Sequence, residues 1–199
     1  NMNSKTLLKC LCMCLAMFAI LVNANAQDLK SILTGVAKAV VGDKATTSSS
    51  IIGTWKYVGP QCQFESENLL AKAGGEVAAK EVEEKMQTVY DRIGMSGCEY
   101  TFNEDGTYSY TLKKRTMSGT YTFDDKEKTI TMKGKLGVKT VAHVTVTGSD
   151  MSLVFNADKL MSVLKTITGT VSKVNSTAAT INSVAGSYDG LMLGFDLKK

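Results

Sequence analysis

Few side chains in this sequence are equipped for covalent or acid–base chemistry, and their spacing narrows the choice further. Among 199 residues there is one histidine, His143, and five cysteines. Nucleophilic catalysis by Ser or Cys needs a base beside the nucleophile, yet His143 lies far in sequence from Cys62 and Cys98. Gly94-Met95-Ser96-Gly97 lacks the last spacing of a nucleophile elbow. Carboxylates are plentiful but fall where bland roles suffice. Glu104, Asp105, Asp124 and Asp125 sit in turn-like stretches, where such groups bond the local backbone. Glu81, Glu83 and Glu84 form an acidic run expected to face solvent. No glycine-rich phosphate loop and no Cys-x-x-Cys is present. The expectation is a protein that is not an enzyme, with no catalytic residue, no metal and no cofactor.

The other chemistry open to the cysteines is a bridge. Cys10, Cys12 and Cys14 belong to residues 1–26, which read as a signal peptide: Lys5 and Lys9, an uncharged run from Leu11 to Val22, then Ala24-Asn25-Ala26. That run is shorter than the roughly 20 apolar residues a membrane span needs, so no transmembrane segment is expected after cleavage. Export to the periplasm or beyond would leave Cys62 and Cys98 in an oxidising compartment, where an even pair reads as a disulfide. Closing that loop would contribute about 4 kcal/mol in the chain-entropy model. A reactive or metal-binding thiol pair is the alternative.

Composition sets the class. Hydrophobic residues make up 44% and charged residues 21%, which excludes a disordered chain. The net charge of +4 (23 basic, 19 acidic) falls to +2 without Lys5 and Lys9, too little to argue for nucleic acid. Residues 27–50 read as a leader helix over 28–41 and a polar linker; the helix could pack outside the domain or meet an envelope or protein partner.

The remaining elements must place the large side chains. Ile51 to Val58 is a strand candidate with Gly53, Trp55 and Tyr57 on one face. A helical insertion over 65–93 follows, with a break expected at Gly74-Gly75. From Cys98 the apolar period becomes two, with turns at 103–106, 124–126 and 147–150, which predicts a six-strand antiparallel meander. A second helical insertion spans 157–184, and Leu191, Leu193, Phe195 and Leu197 alternate in a last strand. The fold expected over 51–199 is mainly β with helical insertions: about eight antiparallel strands, closed up-and-down when the last returns beside the first.

Gly53-Thr54-Trp55 resembles the Gly-x-Trp signature of lipocalins and other calycin barrels, and Phe102-Asn103-Glu104-Asp105-Gly106-Thr107-Tyr108 resembles a hairpin of bacterial lipocalin-like domains. Over 27–199 the chain is similar to a family of secreted lipocalin-like proteins from Bacteroidetes. The resemblance implies a barrel and secretion, and no established activity. Lipocalins stack an Arg near the last strand on that Trp; here the arginines are Arg92 and Arg115, and the chain closes with Lys198-Lys199.

The expected inward faces carry Trp55, Tyr57, Tyr100, Phe102, Tyr108, Tyr110, Tyr121 and Phe123, with Phe155 and Phe195. An eight-stranded barrel is either filled by its side chains or holds one small ligand. These residues are therefore the candidate lining for a small apolar or amphipathic molecule. The alternative is a structural or interaction module of the cell envelope whose barrel is filled.

Overall fold

The computed structural model describes residues 44–64, 69–135, 137–168, 177–182 and 190–199, all within one unit of residues 39–199. The expected signal peptide and leader helix lie outside the described residues, as do 169–176 and 183–189 of the later helical region.

Eight strands follow one another around a closed barrel: β1 (Gly53–Phe64), β2 (Glu99–Phe102), β3 (Thr107–Leu112), β4 (Arg115–Asp124), β5 (Thr129–Gly134), β6 (Lys139–Thr147), β7 (Asp150–Asn156) and β8 (Leu191–Lys198). Each pairs antiparallel with the next, and β8 returns to β1. Closure leaves no edge to aggregate. The two-residue period places one side chain in two inside, and cross-strand partners share a face. One inward row runs Trp55–Tyr100–Tyr110–Met117 across four strands. The next runs Gly53–Phe102–Tyr108–Gly119–Gly134. A Cβ on Gly119 would stand 2.1 Å from the Lys133 carbonyl oxygen and 2.9 Å from the Tyr108 ring. Glycine there lets the bent strands approach and leaves room for the phenol.

β1 is longer than its sequence suggests. Ile51 belongs to a short helix, α1 (Ser48–Ile51), and the strand runs on through Pro60 to Phe64. Beyond Tyr57, β1 pairs with β8 alone among the strands and runs past the closed part of the barrel, where a proline is tolerated. A register shift falls between Tyr57 and Gly59, and the bulged residue, Val58, is turned out to 62% exposure.

The first insertion is one continuous helix, α2 (Leu69–Ile93). The expected break at Gly74-Gly75 is absent. Two helix-interior glycines cost about 1 kcal/mol each relative to alanine. The buried stripe Val82, Met86, Val89, Tyr90 and Ile93 offsets that, at about 1.5–3 kcal/mol for each fully buried large apolar side chain. The second insertion begins with α3 (Ala157–Thr168), which buries Met161 and Leu164; residues 177–182 are also helical and bury Ile181.

Candidate functional site

The barrel has two differently built ends. The β2–β3, β4–β5 and β6–β7 turns lie at one end with the start of β1, where the segment before β1 is bound down. Thr47 caps α1, and its hydroxyl accepts from the Ser50 amide while Ser50 Oγ accepts from the Thr47 amide. Thr46 is fully buried; its hydroxyl accepts from Val146 N–H at 2.8 Å, and its carbonyl accepts from Lys128 Nζ at 3.0 Å. The expected linker is therefore, over 46–50, a cap, because its hydroxyls satisfy backbone groups that the barrel end leaves open.

Trp55 lies under this cap with no exposure, and its indole N–H donates to the Ile51 carbonyl at 2.7 Å. Lys199 Nζ stands 4.3 Å from the Trp55 ring centroid and donates to the Ser50 carbonyl at 3.3 Å. A cation on an indole face contributes about 0.5–2 kcal/mol, more as it is desolvated. Gly53, at φ 124°, would bring a Cβ within 3.1 Å of Lys199 Cε. The glycine of Gly-Thr-Trp thus makes room for the cation, and Lys199 occupies the role that sequence reasoning looked for in an arginine.

At the other end α2 closes the lumen. Glu83 Oε1 accepts from Cys62 N–H at 3.0 Å, so this residue does not face solvent as its neighbours Glu81 and Glu84 do. Burial raises the Glu83 carboxyl above its ordinary range, opposed in part by that bond. Tyr90, 1% exposed, donates to the Gly194 carbonyl at 3.0 Å and meets Tyr57 and Phe195 edge-on, with centroids at 6.0 and 6.1 Å. Tyr90 was missed as a lumen residue. Its place four residues after Met86 and three before Ile93, in the helix stripe, is the signal that could have found it.

The rings join into one network. Phe195 touches Tyr57, Tyr90, Tyr100 and Phe155, and Tyr100 stacks on Tyr110 at 5.0 Å. Phe102 stacks on Tyr108 and meets Tyr121 edge-on at 5.2 Å. Phe123 is partly buried against the same core, and Trp55 is buried in it at the capped end. The Tyr57 hydroxyl is buried without a hydrogen bond; Gln87 is beside it but donates instead to Asp91 at 2.8 Å. Burial raises the phenols of Tyr57, Tyr90, Tyr100, Tyr108 and Tyr110, so all are neutral donors at physiological pH.

Burial differs around the wall. Inward residues of β5 to β8, such as Ile130, Val144, Leu153 and Leu193, are buried. On β3 and β4 the inward Tyr110, Leu112, Met117, Tyr121 and Phe123 keep intermediate exposure. Among the described residues the β5–β8 side of the lumen is thus filled, while the β3–β4 side keeps partial exposure. The Tyr121 hydroxyl is taken up by the Asn103 carbonyl at 2.8 Å.

The expected disulfide is absent: Cys62 and Cys98 are both buried free thiols. The cause is the length of β1. The Cys98 carbonyl accepts from Tyr57 N–H, whereas Cys62 lies five residues further along the strand. At about 3.3 Å per residue that puts them roughly 15 Å apart, beyond the Cα separation of about 7 Å that a bridge allows. Burial pushes each thiol up to about 12, which makes both poor nucleophiles and poor metal ligands. Among the described residues no group of three His, Cys, Asp or Glu could hold a metal ion. An open cleft of about 470 Å³ lies outside the lumen, on β3, β4 and β5.

Among solved structures the chain is similar to a DUF4847 family protein from Bacteroides vulgatus, at 12% identity and a TM-score of 0.36, covering 74% of this chain and 92% of that one. No curated protein matches it. The closed eight-stranded barrel, entered through Gly-Thr-Trp and latched by a cation over the tryptophan, agrees with the family model that matches residues 26–199: the chain belongs to the family described as lipocalin-like domain, DUF4923.

Proposed function

We propose that the protein holds a small amphipathic molecule against the β3–β4 wall of its barrel, without transforming it. The observation that carries this reading is the asymmetry of the lumen, whose inward β3 and β4 side chains other than Tyr108 stay partly exposed while those of β5 to β8 are buried. Tyr110, Leu112 and Met117 offer an apolar face. The neutral phenol of Tyr110 offers a donor, so the fitting ligand has an apolar body and an oxygen acceptor. Lipocalin-like family membership supports a binding fold. Titration with dodecanoic acid, read by native mass spectrometry, tests it. A 1:1 complex weakened by Tyr110→Ala and Met117→Ala is expected; no complex at millimolar ligand, or one indifferent to both changes, refutes it.

The filled half, packed by Tyr90, Phe155 and Phe195, favours a second reading: a structural module that presents its surface to an envelope or protein partner. A barrel that takes no amphipathic probe would favour it. The same proposal places the protein outside the cytoplasm after removal of residues 1–26. A family match that starts at residue 26 supports this. N-terminal sequencing of envelope material should begin at Gln27, and a cytosolic protein retaining the apolar run would refute it.

A further inference from the structure

The small net charge conceals a segregation. At the Trp55 end the turns carry carboxylates beside their cations, with Glu104, Asp105, Asp124, Asp125 and Glu127; Lys128 pairs with Asp125 at 3.0 Å and Lys198 with Asp150 at 3.9 Å. At the opposite end the β3–β4 and β5–β6 hairpins carry Lys113, Lys114, Arg115, Lys133, Lys135 and Lys139, all exposed. Residues 108–118 and 132–142 contain no carboxylate. Among the described residues none of these six cations is in an ion pair. Lys133 and Lys139 also stand directly opposite each other across β5–β6. Like charges so placed cost stability, and nothing in the fold requires them there.

The cleft of about 470 Å³ runs into this basic region. Lys133 and Lys135 line one part of it, and Ser109, Ser118 and Thr120 line the middle. Their register puts them on the outward face, opposite in pleat to Tyr108 and Gly119. Asn103 and Thr107 line the far part, where the Thr107 hydroxyl donates to Asp105 at 2.6 Å. The cleft therefore offers neutral hydrogen-bonding groups over most of its length and positive charge at one end.

We propose that this outer cleft binds an anionic saccharide, a hydroxyl-rich chain bearing sulfate or carboxylate groups. The hydroxyls of Ser109, Ser118 and Thr120 match sugar hydroxyls, while Asn103 and Thr107 bond each other at 3.0 Å, and the lysines take the anionic substituent. The cleft is concave, which a flat lipid surface cannot follow. Tyr108 is the one aromatic residue in its lining, and its ring lies over Gly119 on the inward face, so no row of outward rings is offered of the kind that stacking of single-stranded nucleic acid needs. Tyr108, Gly119 and Gly134 of an inward row border the cleft, but Tyr110, Leu112 and Met117 do not, so this site does not depend on the binding proposed in the lumen.

Biosensor binding of the chain from residue 27 onward tests it, at about 0.1 M salt, where exposed charges still act within a Debye length of about 10 Å. The probes are dextran sulfate, neutral dextran, poly(vinyl sulfate) and phosphatidylserine vesicles. Dextran sulfate should bind in preference to the other three. Lys133→Ala/Lys135→Ala should weaken it by roughly tenfold, equivalent to 1.4 kcal/mol. Lys56→Ala, outside the cleft, should leave it unchanged. Ser109→Ala/Ser118→Ala/Thr120→Ala should abolish the preference for dextran sulfate over poly(vinyl sulfate) at unaltered charge. Equal binding of the two polyanions by the parent protein overturns the saccharide reading. So does an equal loss from Lys56→Ala, or binding to vesicles without binding to dextran sulfate.

Discussion

Tyr90 is the side chain on which closure of the α2 end most depends, and two substitutions separate its contributions. Tyr90→Phe removes only the hydroxyl bond to the Gly194 carbonyl, at 3.0 Å in a buried setting. Such a bond contributes about 1 kcal/mol net. Tyr90→Ala also removes the ring, 1% exposed and in edge-on contact with Tyr57 and Phe195. Buried aromatic-to-alanine changes cost about 3–5 kcal/mol. With a urea slope of about 2 kcal/mol/M, the midpoint should fall by about 0.5 M for Tyr90→Phe and about 2 M for Tyr90→Ala. Trp55, the single tryptophan and fully buried at the opposite end, reports unfolding by fluorescence. Far-ultraviolet circular dichroism reports α2. Coincident curves would mean that both ends unfold together. A Tyr90→Ala shift under about 0.5 M would refute the argument, since it would mean the ring fills no space that the rest of the barrel needs.

Other predictions rest on single contacts. Lys199→Ala should lower stability by about 0.5–2 kcal/mol, Lys199→Arg should retain most of it, and Trp55 fluorescence should shift only in the first; equal effects of both would exclude the stacked cation. Gly194→Ala would place a Cβ 1.8 Å from the Leu153 carbonyl oxygen, whereas Gly97→Ala meets nothing within 4 Å. Thermal melts should show the first losing about 3 kcal/mol or more and the second nearly neutral. Both thiols are raised from 9.0 to about 12 by burial. A group raised on folding stabilises fully below its unfolded value, so stability should hold to about pH 9 and fall as pH rises toward 12. Cys62→Ala/Cys98→Ala should flatten that decline. Iodoacetamide at pH 8 should label neither thiol in the folded protein and both in urea; prompt labelling of the folded protein would contradict their burial.

The strand meander was legible because each strand alternates and each turn carries its own signal. Gly106, at φ 77°, and Asp105, accepting from Thr107 N–H, close the β2–β3 hairpin where Asp-Gly predicts it. Closure of the barrel could be argued because an open meander needs its edges covered. The inward rings followed from the period of two. What was not legible depends on distance across the fold. Pro60 hides the second half of β1, and with that half hidden Cys62 and Cys98 look close enough to join. Gly74-Gly75 looks like a break because local propensity weighs against helix, while the stripe buried against the barrel lies 8 to 18 residues further on. Ser and Thr at 46–50 look like a linker because hydroxyls that bind distant backbone, such as Thr46 to Val146, resemble hydroxyls that bind water.

Filling and binding look like alternatives for a barrel of eight strands, yet the arrangement of rings leaves room for the proposed binding beside a filled side. Phe195 stands at the centre of the filled side, where Tyr57, Tyr90, Tyr100 and Phe155 all reach it. Packing there is held by a helix whose tyrosine bonds β8 and whose glutamate bonds β1. Among the described residues no comparable element covers β3 and β4, whose inward row ends in the exposed turn at Lys113 and Lys114. A rigid half then holds the row Tyr100–Tyr110–Met117 in register, and the partly exposed half presents it. Stabilising the filled half should therefore leave ligand affinity unchanged, because the groups offered to a ligand are already fixed by their cross-strand partners. Substitution of Tyr100, buried yet stacked on Tyr110 at 5.0 Å, is the change that would couple the two halves. Tyr100→Leu should lower stability and dodecanoic acid affinity together. A variant that lost stability alone would show the β3–β4 wall to be held by its backbone, independently of the rings behind it.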